Sequence, residues 1–389
     1  MELTVFSSTN WNLVFSGVFA VLVLAILLYA RSIPQGGRSW WVLALVTAGL
    51  TLAGTLAGAG VAGTLLIDAA AFSAVGLVFL DKSPAARKAG RLYLVMVAAA
   101  VVCLLLAERL AGDGASAQPA YPIDRLVVFL LLAGFVLKLA LLPAYFWLPA
   151  VAESAAPMSV ALIVSVVDIA AFKELVNLRV SMPWVFTAHP GIWLAVALLS
   201  IFGGALLALG QKNIRRMLAF STIDDMGYLL LGVVAGPEIG LTGALLGALA
   251  HAIFKVILFG SVGAAECRLG HPLTLDDHGL AKRFPRAGAA FIVGALGMIG
   301  VPPLIGFAGR WRLYLSGVTM GGVWLGLAMV VATVLALFYY VRAIHRVWMG
   351  PADGMQVTEP EPRLAGWAMV ALAVGALLLG LFPAWLLSL

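Results

Sequence analysis

The chain has 389 residues, of which 63% are hydrophobic and only 11% are charged, and its mean hydropathy is +1.06. Soluble domains are about half apolar and about a quarter charged, so this composition excludes an ordinary water-soluble protein. The net charge of +6 does not indicate nucleic-acid binding, because most of the lysines and arginines fall in alternate loops between apolar runs. Apolar runs long enough to cross a bilayer as helices recur throughout, which indicates an all-α, polytopic membrane protein.

In chain order, the sequence predicts about twelve membrane spans. Their ranges are 11–31, 39–59, 60–80, 92–108, 122–143, 156–178, 190–209, 217–236, 240–264, 287–308, 316–342 and 364–387. When the chain is threaded alternately through the membrane, the connections rich in lysine and arginine lie on one side. The positive-inside rule assigns that side to the cytoplasm and places both termini on the outer side.

Two of these spans contain helix-breaking prolines, which are Pro143 in the fifth span and Pro302 and Pro303 in the tenth. A broken helix at membrane depth needs neighbours or a wet cavity to satisfy its freed backbone groups. Each broken span is the fourth in a run of five, and an odd number of spans reverses the topology of the next unit. We therefore predict two inverted five-helix repeats. The alternative is that the prolines merely kink two unrelated helices.

This architecture divides the chain into four parts. An N-terminal flanking helix occupies residues 1–38, and the first five-helix unit occupies residues 39–179. The second unit occupies residues 180–346, and a C-terminal flanking helix occupies residues 347–389. The polar connections between spans are too short to predict a soluble domain.

Ionisable residues inside the apolar spans are the candidate functional residues. A charged residue at the centre of a membrane helix costs roughly 2.5–3.5 kcal/mol on insertion scales, so each one needs a reason to be there. The candidates for a proton-translocation path are Asp68, Lys138, Asp168, Asp224, Asp225, His251 and Lys255. Their distribution over both units favours conduction across the bilayer. The alternative is a set of static ion pairs that hold helices together.

Other charged residues are assigned no part in this path. Lys173 and Glu174 lie close to the predicted end of their span, so their side chains are expected to extend to the membrane interface. Arg310 and Arg312 follow the second break and are expected near the outer surface.

No cofactor motif is present in the sequence. Cys103 and Cys267 stand alone, and there is no CxxC pair, haem-attachment motif, GxGxxG or GxxxxGK[ST] loop. The loop histidines lack the spacing typical of a metal site. The chain is therefore predicted to carry no redox centre, metal or nucleotide of its own.

Four segments resemble the antiporter-like subunits of respiratory complex I, of energy-converting membrane-bound hydrogenases and of Mrp-type cation/proton antiporters. They are "KLALLPAYFWLPAVAESAAPMSVAL", "QKNIRRMLAFSTIDDMGYLLLG", "GALAHAIFKVILFGSVGA" and "GVPPLIGFAGRW". The resemblance covers about residues 60–389 in the family's order and implies two inverted repeats with broken helices. It further implies a proton-translocating subunit that works with other membrane subunits and a peripheral redox arm. Any iron–sulfur cluster, flavin or nickel–iron centre would lie in those partners.

The resemblance also implies roles for individual residues. Lys138 corresponds to the proton-loading lysine of the first unit, and Asp68 stands where the family has the glutamate that pairs with it. His251 and Lys255 correspond to residues that continue the path through the second unit. The two are four residues apart and therefore share a helix face.

The sequence departs from the family pattern at several of these positions. The sixth span has Ile163 and Asp168 where the family carries a bridging histidine and lysine, so the sign of the central group is reversed. Asp224 and Asp225 replace a commonly neutral pair. Arg310 replaces a lysine after the second break, and an arginine stays charged, so Arg310 could gate but not shuttle protons.

Three functions remain open from the sequence. The first is a proton-translocating subunit of a complex I-like or hydrogenase-like redox pump in a bacterial or archaeal inner membrane. The second is an Mrp-type sodium/proton antiporter module, and the third is a scaffold subunit that no longer conducts. Coupling to an inorganic-carbon uptake partner is a further alternative on family grounds. The resemblance also implies about two further helices at the N-terminus, which are expected to be absent from this sequence.

Overall fold

The computed structural model describes residues 8–112, 120–236, 239–350 and 360–382. Within these ranges the chain is helical, and the only β-type contact is an isolated bridge between Asn213 and Thr274. The α-helices are α1 (Ser8–Ser32), α2 (Gly37–Ala57), α3 (Val61–Phe79), α4 (Pro84–Ala111), α5 (Ile123–Lys138), α6 (Trp147–Ser154), α7 (Pro157–Leu162), α8 (Asp168–Ser181), α9 (Trp184–Thr187), α10 (Pro190–Leu209), α11 (Ile214–Ala235), α12 (Ile239–Leu269), α13 (Pro285–Ile299), α14 (Ile305–Ala343) and α15 (Arg363–Leu381). Three short segments with other helical pitch are Ile163–Val167, Leu280–Lys282 and Ile344–Trp348.

Nine helices in the described part of the chain are long and apolar enough to cross a membrane. They are α1, α2, α3, α4, α10, α11, α12, α14 and α15. The other predicted spans fall on composite segments, in which α5 is followed by α6, α7 runs into α8, and α13 is followed by α14. The figure of about twelve spans therefore stays a prediction. The end of the last predicted span and both chain termini lie outside the described residues.

The helices that precede the two breaks, α5 and α13, end in the same way. The backbone N–H groups of Leu141 and Val301 each donate to the carbonyl five residues earlier, both at 3.0 Å. The residues before them, Ala140 and Gly300, adopt left-handed backbone conformations with φ of 51° and 89°. This is the closure of a Schellman-type helix end. Pro143 lies between α5 and α6, and the proline pair of the second break, Pro302 and Pro303, lies between α13 and α14.

The segment from the first break to the end of α6 is held at two points by residues from later in the chain. The N–H of Leu142 donates to the hydroxyl of Ser200 on α10 at 3.0 Å. The carbonyl of Ala155, just after α6, accepts a 2.7 Å hydrogen bond from the guanidinium of Arg215 on α11. Backbone groups freed by a break at membrane depth need such partners, so α10 and α11 stabilise the interrupted segment.

The predicted spans 287–308 and 316–342 leave residues 309–315 as a connection between them. This prediction is wrong, because residues 309–315 are helical. Helix α14 is interrupted further on, where Gly321 and Gly322 leave the helical region. Gly322 has a φ of 69°, which glycine adopts without steric cost. The hydroxyls of Tyr314 and Thr333, on either side of this point, lie 2.6 Å apart, so the two parts of α14 fold back on each other. The proline pair breaks the helix earlier, and the glycine pair makes the turn.

Helices α11 and α12 form the centre of the protein, because almost all their residues are buried. Both are largely apolar, with buried residues on every side, as expected for helices enclosed by others. Helix α14 approaches α12 closely where Gly309 faces Gly247. A side-chain carbon on Gly309 would lie 2.6 Å from the backbone nitrogen of Gly247. This close contact brings the next residue, Arg310, against the polar residues of α11 and α12.

Candidate functional site

The first group of buried charges is centred on Lys138, the last residue of α5. Its ammonium lies 2.6 Å from Oδ1 of Asp68 on α3 and 2.6 Å from Oε2 of Glu174 on α8. All three side chains are buried. We call these three residues the lysine cluster. Lys138 also occupies the C-terminal end of a helix, where the helix dipole favours a cation.

The break is what positions Lys138 beside these carboxylates. Helix α5 stops at the lysine, and the indole N–H of Trp147, at the start of α6, donates to the carbonyl of Leu137 at 3.1 Å. Trp147 is fully buried and stacks on Tyr93 of α4 with a centroid separation of 4.4 Å. Packing on both sides of the break therefore fixes the end of α5.

Asp168 begins α8, directly after the short segment Ile163–Val167, and is buried. Among the described residues its carboxylate has no hydrogen bond or ion pair, although Lys138 is near enough to interact with it electrostatically. Segments with π-type pitch inside helices occur often at functional sites. Asp168 is thus a third carboxylate near Lys138 but is not in contact with it.

The expectation that Glu174 reaches the interface is wrong. Its carboxylate is buried and holds Lys138. Lys173 is also buried, and its ammonium donates to the amide oxygens of Asn12 and Asn177. Closeness to the predicted helix end did not predict exposure at the membrane interface, because other helices enclose α8. The sequence held little signal of this burial, because α8 itself carries several charged and polar residues.

The second group of charges is centred on Asp225 of α11. Its Oδ1 lies 2.7 Å from the guanidinium of Arg310 on α14, and its Oδ2 lies 2.8 Å from Nδ1 of His251 on α12. We call these three residues the aspartate cluster. Arg310 also donates to the carbonyl of Met298 at 3.1 Å, and its guanidinium lies 3.9 Å from the centre of the Tyr228 ring. The expected place of Arg310 near the outer surface is therefore wrong, because it is buried.

Lys255 is fully buried one helical turn from His251. Its ammonium donates to the carbonyl of Leu218 at 2.8 Å and to the hydroxyl of Ser221 at 2.6 Å, both on α11. The hydroxyl of Tyr340 on α14 also donates to Ser221, at 3.1 Å. Within the described residues no carboxylate lies within ion-pair distance of Lys255, which makes it very different from Lys138.

Asp224 is adjacent to Asp225 but faces another helix. Its Oδ2 accepts a 3.0 Å hydrogen bond from the hydroxyl of Tyr339 on α14. Its Oδ1 is buried and has no hydrogen-bond partner among the described residues. The two neighbouring aspartates therefore have distinct surroundings, one with two basic partners and one with a neutral hydroxyl.

A small cavity of about 10 Å³ lies between α11, α12, α13 and α14 and is lined in part by Asp225, His251 and Arg310. This is about the volume that one water molecule requires. Nε2 of His251 and Nη1 of Arg310 are both buried and lack a partner within the described chain. A water molecule here would satisfy such groups. In the same described ranges, no group of His, Cys, Asp and Glu side chains could hold a metal ion.

The structure thus brings the predicted residues together in two places. Asp68 and Lys138 meet in the lysine cluster, and Asp225 and His251 meet in the aspartate cluster, with Lys255 and Asp224 beside it. The sequence analysis missed the polar partners that hold these groups, which are Glu174, Ser221, Tyr228, Tyr339 and Tyr340. The adjacent tyrosines in an apolar helix were a signal, since a buried hydroxyl needs a partner.

The family described as "NADH:quinone oxidoreductase/Mrp antiporter, TM" matches residues 63–336. This range includes both helix breaks and every residue of the two clusters. The chain belongs to this family. It is an integral, multi-pass membrane protein, and the predicted resemblance is confirmed.

Individual relatives agree with this assignment. NADH-quinone oxidoreductase subunit N 2 of Solidesulfovibrio magneticus is 33% identical over 258 residues, which cover 66% of this chain and 54% of that protein. The chain spans about half the length of this and several other curated relatives. The likeness is therefore to a large part of such subunits.

Solved structures with the same fold cover nearly the whole chain. A chain of respiratory complex I from Thermus thermophilus with bound aureothin superposes with a TM-score of 0.79 at 26% identity, covering 96% of this chain and 85% of that one. A chain of the Mrp complex from Dietzia sp. DQ12-45-1b superposes with a TM-score of 0.84 at 21% identity, covering 97% and 82%. The predicted all-α, polytopic fold is confirmed.

Proposed function

We propose that this protein is a proton-translocating, antiporter-like membrane subunit of a complex I-like or membrane-bound hydrogenase-like pump. Protons would move along the buried ionisable residues while redox chemistry proceeds in partner chains. The family membership and the likeness to a complex I subunit support this assignment. The iron–sulfur, flavin or nickel–iron centres of such a pump would belong to a peripheral arm, and this chain would contact other membrane subunits.

The observation that carries the proposal is Lys138 held between Asp68 and Glu174 beside a helix break. One ammonium cannot neutralise two buried carboxylates, so the cluster has a surplus negative charge unless it binds a proton. Burying an uncompensated charge is costly, which makes the surplus carboxylate a natural place for a mobile proton. A shift of Lys138 between its two partners would change which carboxylate can accept that proton.

The second unit would continue the path with a different set of groups. His251 contacts the shared Asp225 through one ring nitrogen and lines the small cavity, so it can pass a proton between the two sides of its ring. Lys255 and Asp168 are proposed as further stations. Arg310 stays charged and is proposed as a fixed gate that sets the position of Asp225.

The test is Lys138→Ala in membrane vesicles from cells in which the variant chain replaces the native one. We expect loss of proton translocation per electron, with electron transfer still measurable. Lys173→Ala is the matched control, because it also removes a buried lysine of the same region but one bound to amides rather than carboxylates. Unchanged pumping in Lys138→Ala, together with normal assembly, would refute the proposal.

The alternative function is an Mrp-type sodium/proton antiporter, supported by the other half of the family description. Sodium-dependent proton exchange in vesicles given no electron donor would favour it. A non-conducting scaffold is supported by the Arg310–Asp225 pair, which is tight and cannot release a proton from the arginine. Two results together would favour it. Every variant of an ionisable residue would assemble and pump normally, and deletion of the chain would prevent assembly of the complex.

Membrane location, the side of the termini and the division into repeats complete the proposed assignment. We place the protein in a bacterial or archaeal inner membrane with both termini on the outer side, as the positive-inside rule suggests. We also propose that residues 39–179 and 180–346 are inverted repeats with flanking helices in 1–38 and 347–389. The matching Schellman-type closures at the two breaks support this division.

A further inference from the structure

We infer that the adjacent aspartates of the second unit have separate tasks: Asp225 is a fixed counter-ion for Arg310, and Asp224 exchanges a proton with Lys255. This inference rests on the proposed function, because it specifies how a proton passes through the second unit. It also gives parts to three residues outside the predicted path. These residues are Ser221, Tyr339 and Tyr340.

Asp225 is unsuited to exchange a proton because both of its oxygens are already bound. One contacts the guanidinium of Arg310 at 2.7 Å and the other contacts His251 at 2.8 Å. Protonation of Asp225 would leave a buried arginine without its anion, which is costly. Arg310 cannot relieve this by losing its own proton. The pair is therefore a permanent one.

Asp224 has the opposite surroundings. Its only hydrogen-bond partner in the described chain is the neutral hydroxyl of Tyr339, and Oδ1 is free to receive a proton. Two neighbouring carboxylates whose environments differ in this way are typical of a division between a charged and an exchanging group. The titratable groups that face Asp224 from its own and neighbouring helices are Asp225, Tyr228, Lys255, Arg310, Tyr339 and Tyr340.

Lys255 is a buried cation near enough to Asp224 to interact with it electrostatically, without a direct hydrogen bond between the two in the described residues. Its ammonium is bound to Ser221, which is one helical turn before Asp224 on α11 and so projects from nearly the same face. Tyr340 donates to Ser221 and Tyr339 donates to Asp224, and the rings of the two tyrosines lie 4.6 Å apart. The two tyrosines of α14 thus hold the donor side and the acceptor side in register.

The exchange itself is balanced and consumes no other reactant. An N–H bond of the Lys255 ammonium breaks, one bridging water molecule accepts that proton and donates another, and an O–H bond forms at Oδ1 of Asp224. Two opposite charges become a neutral amine and a neutral carboxylic acid. Ser221 and Leu218 remain as hydrogen-bond partners of the neutral amine, so neither state leaves the lysine nitrogen unbound. The reverse transfer restores the first state.

The test uses infrared difference spectra of membranes containing the whole complex, recorded across a pH jump in H₂O and D₂O. We expect a carboxylic-acid carbonyl band, shifted by D₂O, that is absent in Asp224→Asn and present in Asp225→Asn. Since Asp225→Asn leaves Arg310 unpaired, the double variant Asp225→Asn with Arg310→Gln is the second arm and should keep the band. Loss of the band in the double variant, or its persistence in Asp224→Asn, would overturn the inference.

Function and positioning are tested in the same membranes. Asp224→Asn should lower protons translocated per electron by about tenfold or more, as expected when a proton-transfer group is removed, and Asp224→Glu should recover part of the loss. Tyr339→Phe should shift the carbonyl band, whereas Tyr314→Phe, which loses only its bond to Thr333, should not. If Lys138→Ala stops pumping while Asp224→Asn does not, the proposed function stands and this inference is wrong.

Discussion

The lysine cluster and the aspartate cluster are opposite solutions to the burial of charge. In the first, one cation is shared by two carboxylates. In the second, one carboxylate is shared by an arginine and a histidine, and the nearby Lys255 is bound only by a hydroxyl and a carbonyl. The first has a surplus of acid, whereas in the second the shared carboxylate is matched by the permanent charge of Arg310.

This difference predicts which group can change its charge. A carboxylate in the lysine cluster can be neutralised while Lys138 keeps the other, so a proton can be added without leaving a bare ion. In the aspartate cluster the single carboxylate holds a permanent cation. On the proposed mechanism, the mobile proton there would belong to His251 or to the neighbouring Lys255 and Asp224. A proton would then pass through the member whose loss of charge leaves every other ion paired.

The largest effect is expected from Asp225→Ala. It removes the only carboxylate that binds Arg310 in the described part of the chain and leaves a buried guanidinium uncompensated, which costs about 3–5 kcal/mol. We expect a strong fall in the midpoint of thermal unfolding of the purified complex, or loss of this chain from it. Adding Arg310→Met should recover much of the loss, because it removes the orphaned cation. Equal losses in the single and double variants would contradict the idea of a shared acid.

A smaller effect on stability is expected from Glu174→Gln. Lys138 keeps Asp68, and the glutamine oxygen can still accept a hydrogen bond, so we expect a cost of no more than about 1.5 kcal/mol. Pumping per electron should nevertheless fall, because the surplus carboxylate is gone. Glu153→Gln is the control, since its pair with Arg216 is at the surface and worth about 0–1 kcal/mol. A loss of stability as large as that of Asp225→Ala would show that the lysine cluster has no surplus acid.

The smallest effect is expected from Ser200→Ala, which leaves both clusters intact but removes the hydroxyl bound to the N–H of Leu142. One such bond contributes about 0.5–1.5 kcal/mol. We expect a small fall in the unfolding midpoint together with a measurable decrease in pumping per electron. Ser316→Ala is the control, because that hydroxyl binds only a carbonyl of its own helix. Identical pumping in the two variants would separate the support of the break from the function of Lys138.

Much of the fold could be predicted from the sequence. Apolar runs of membrane-spanning length and prolines at two matched places indicated the spans and the breaks. The position of the turn in α14 was missed, because the motif at Pro302 and Pro303 suggested a loop soon afterwards. The turn is made by Gly321 and Gly322, whose role depends on a backbone conformation that composition does not reveal.

The site was predicted less completely. Asp68, Lys138 and His251 stood out because a charge in an apolar run has few explanations. Glu174 was missed because its depth depends on what encloses α8, which is a property of the assembled protein. The pairing of Asp225 with Arg310 depends on the close approach of α14 to α12, and only a glycine-to-glycine contact in three dimensions reveals it.

Hydrogen bonds from α10 and α11 hold the backbone around the first break. They connect these helices to the region of Lys138 through the backbone, in addition to any interaction between charges. Leu142, which Ser200 holds, is four residues beyond Lys138, and Arg215 holds the far end of the same interrupted segment at Ala155. A tilt of α10 is therefore expected to displace the peptide unit of Leu142, which lies four residues beyond the end of α5. Lys138 would then be connected to the later helices through the backbone as well as through charge.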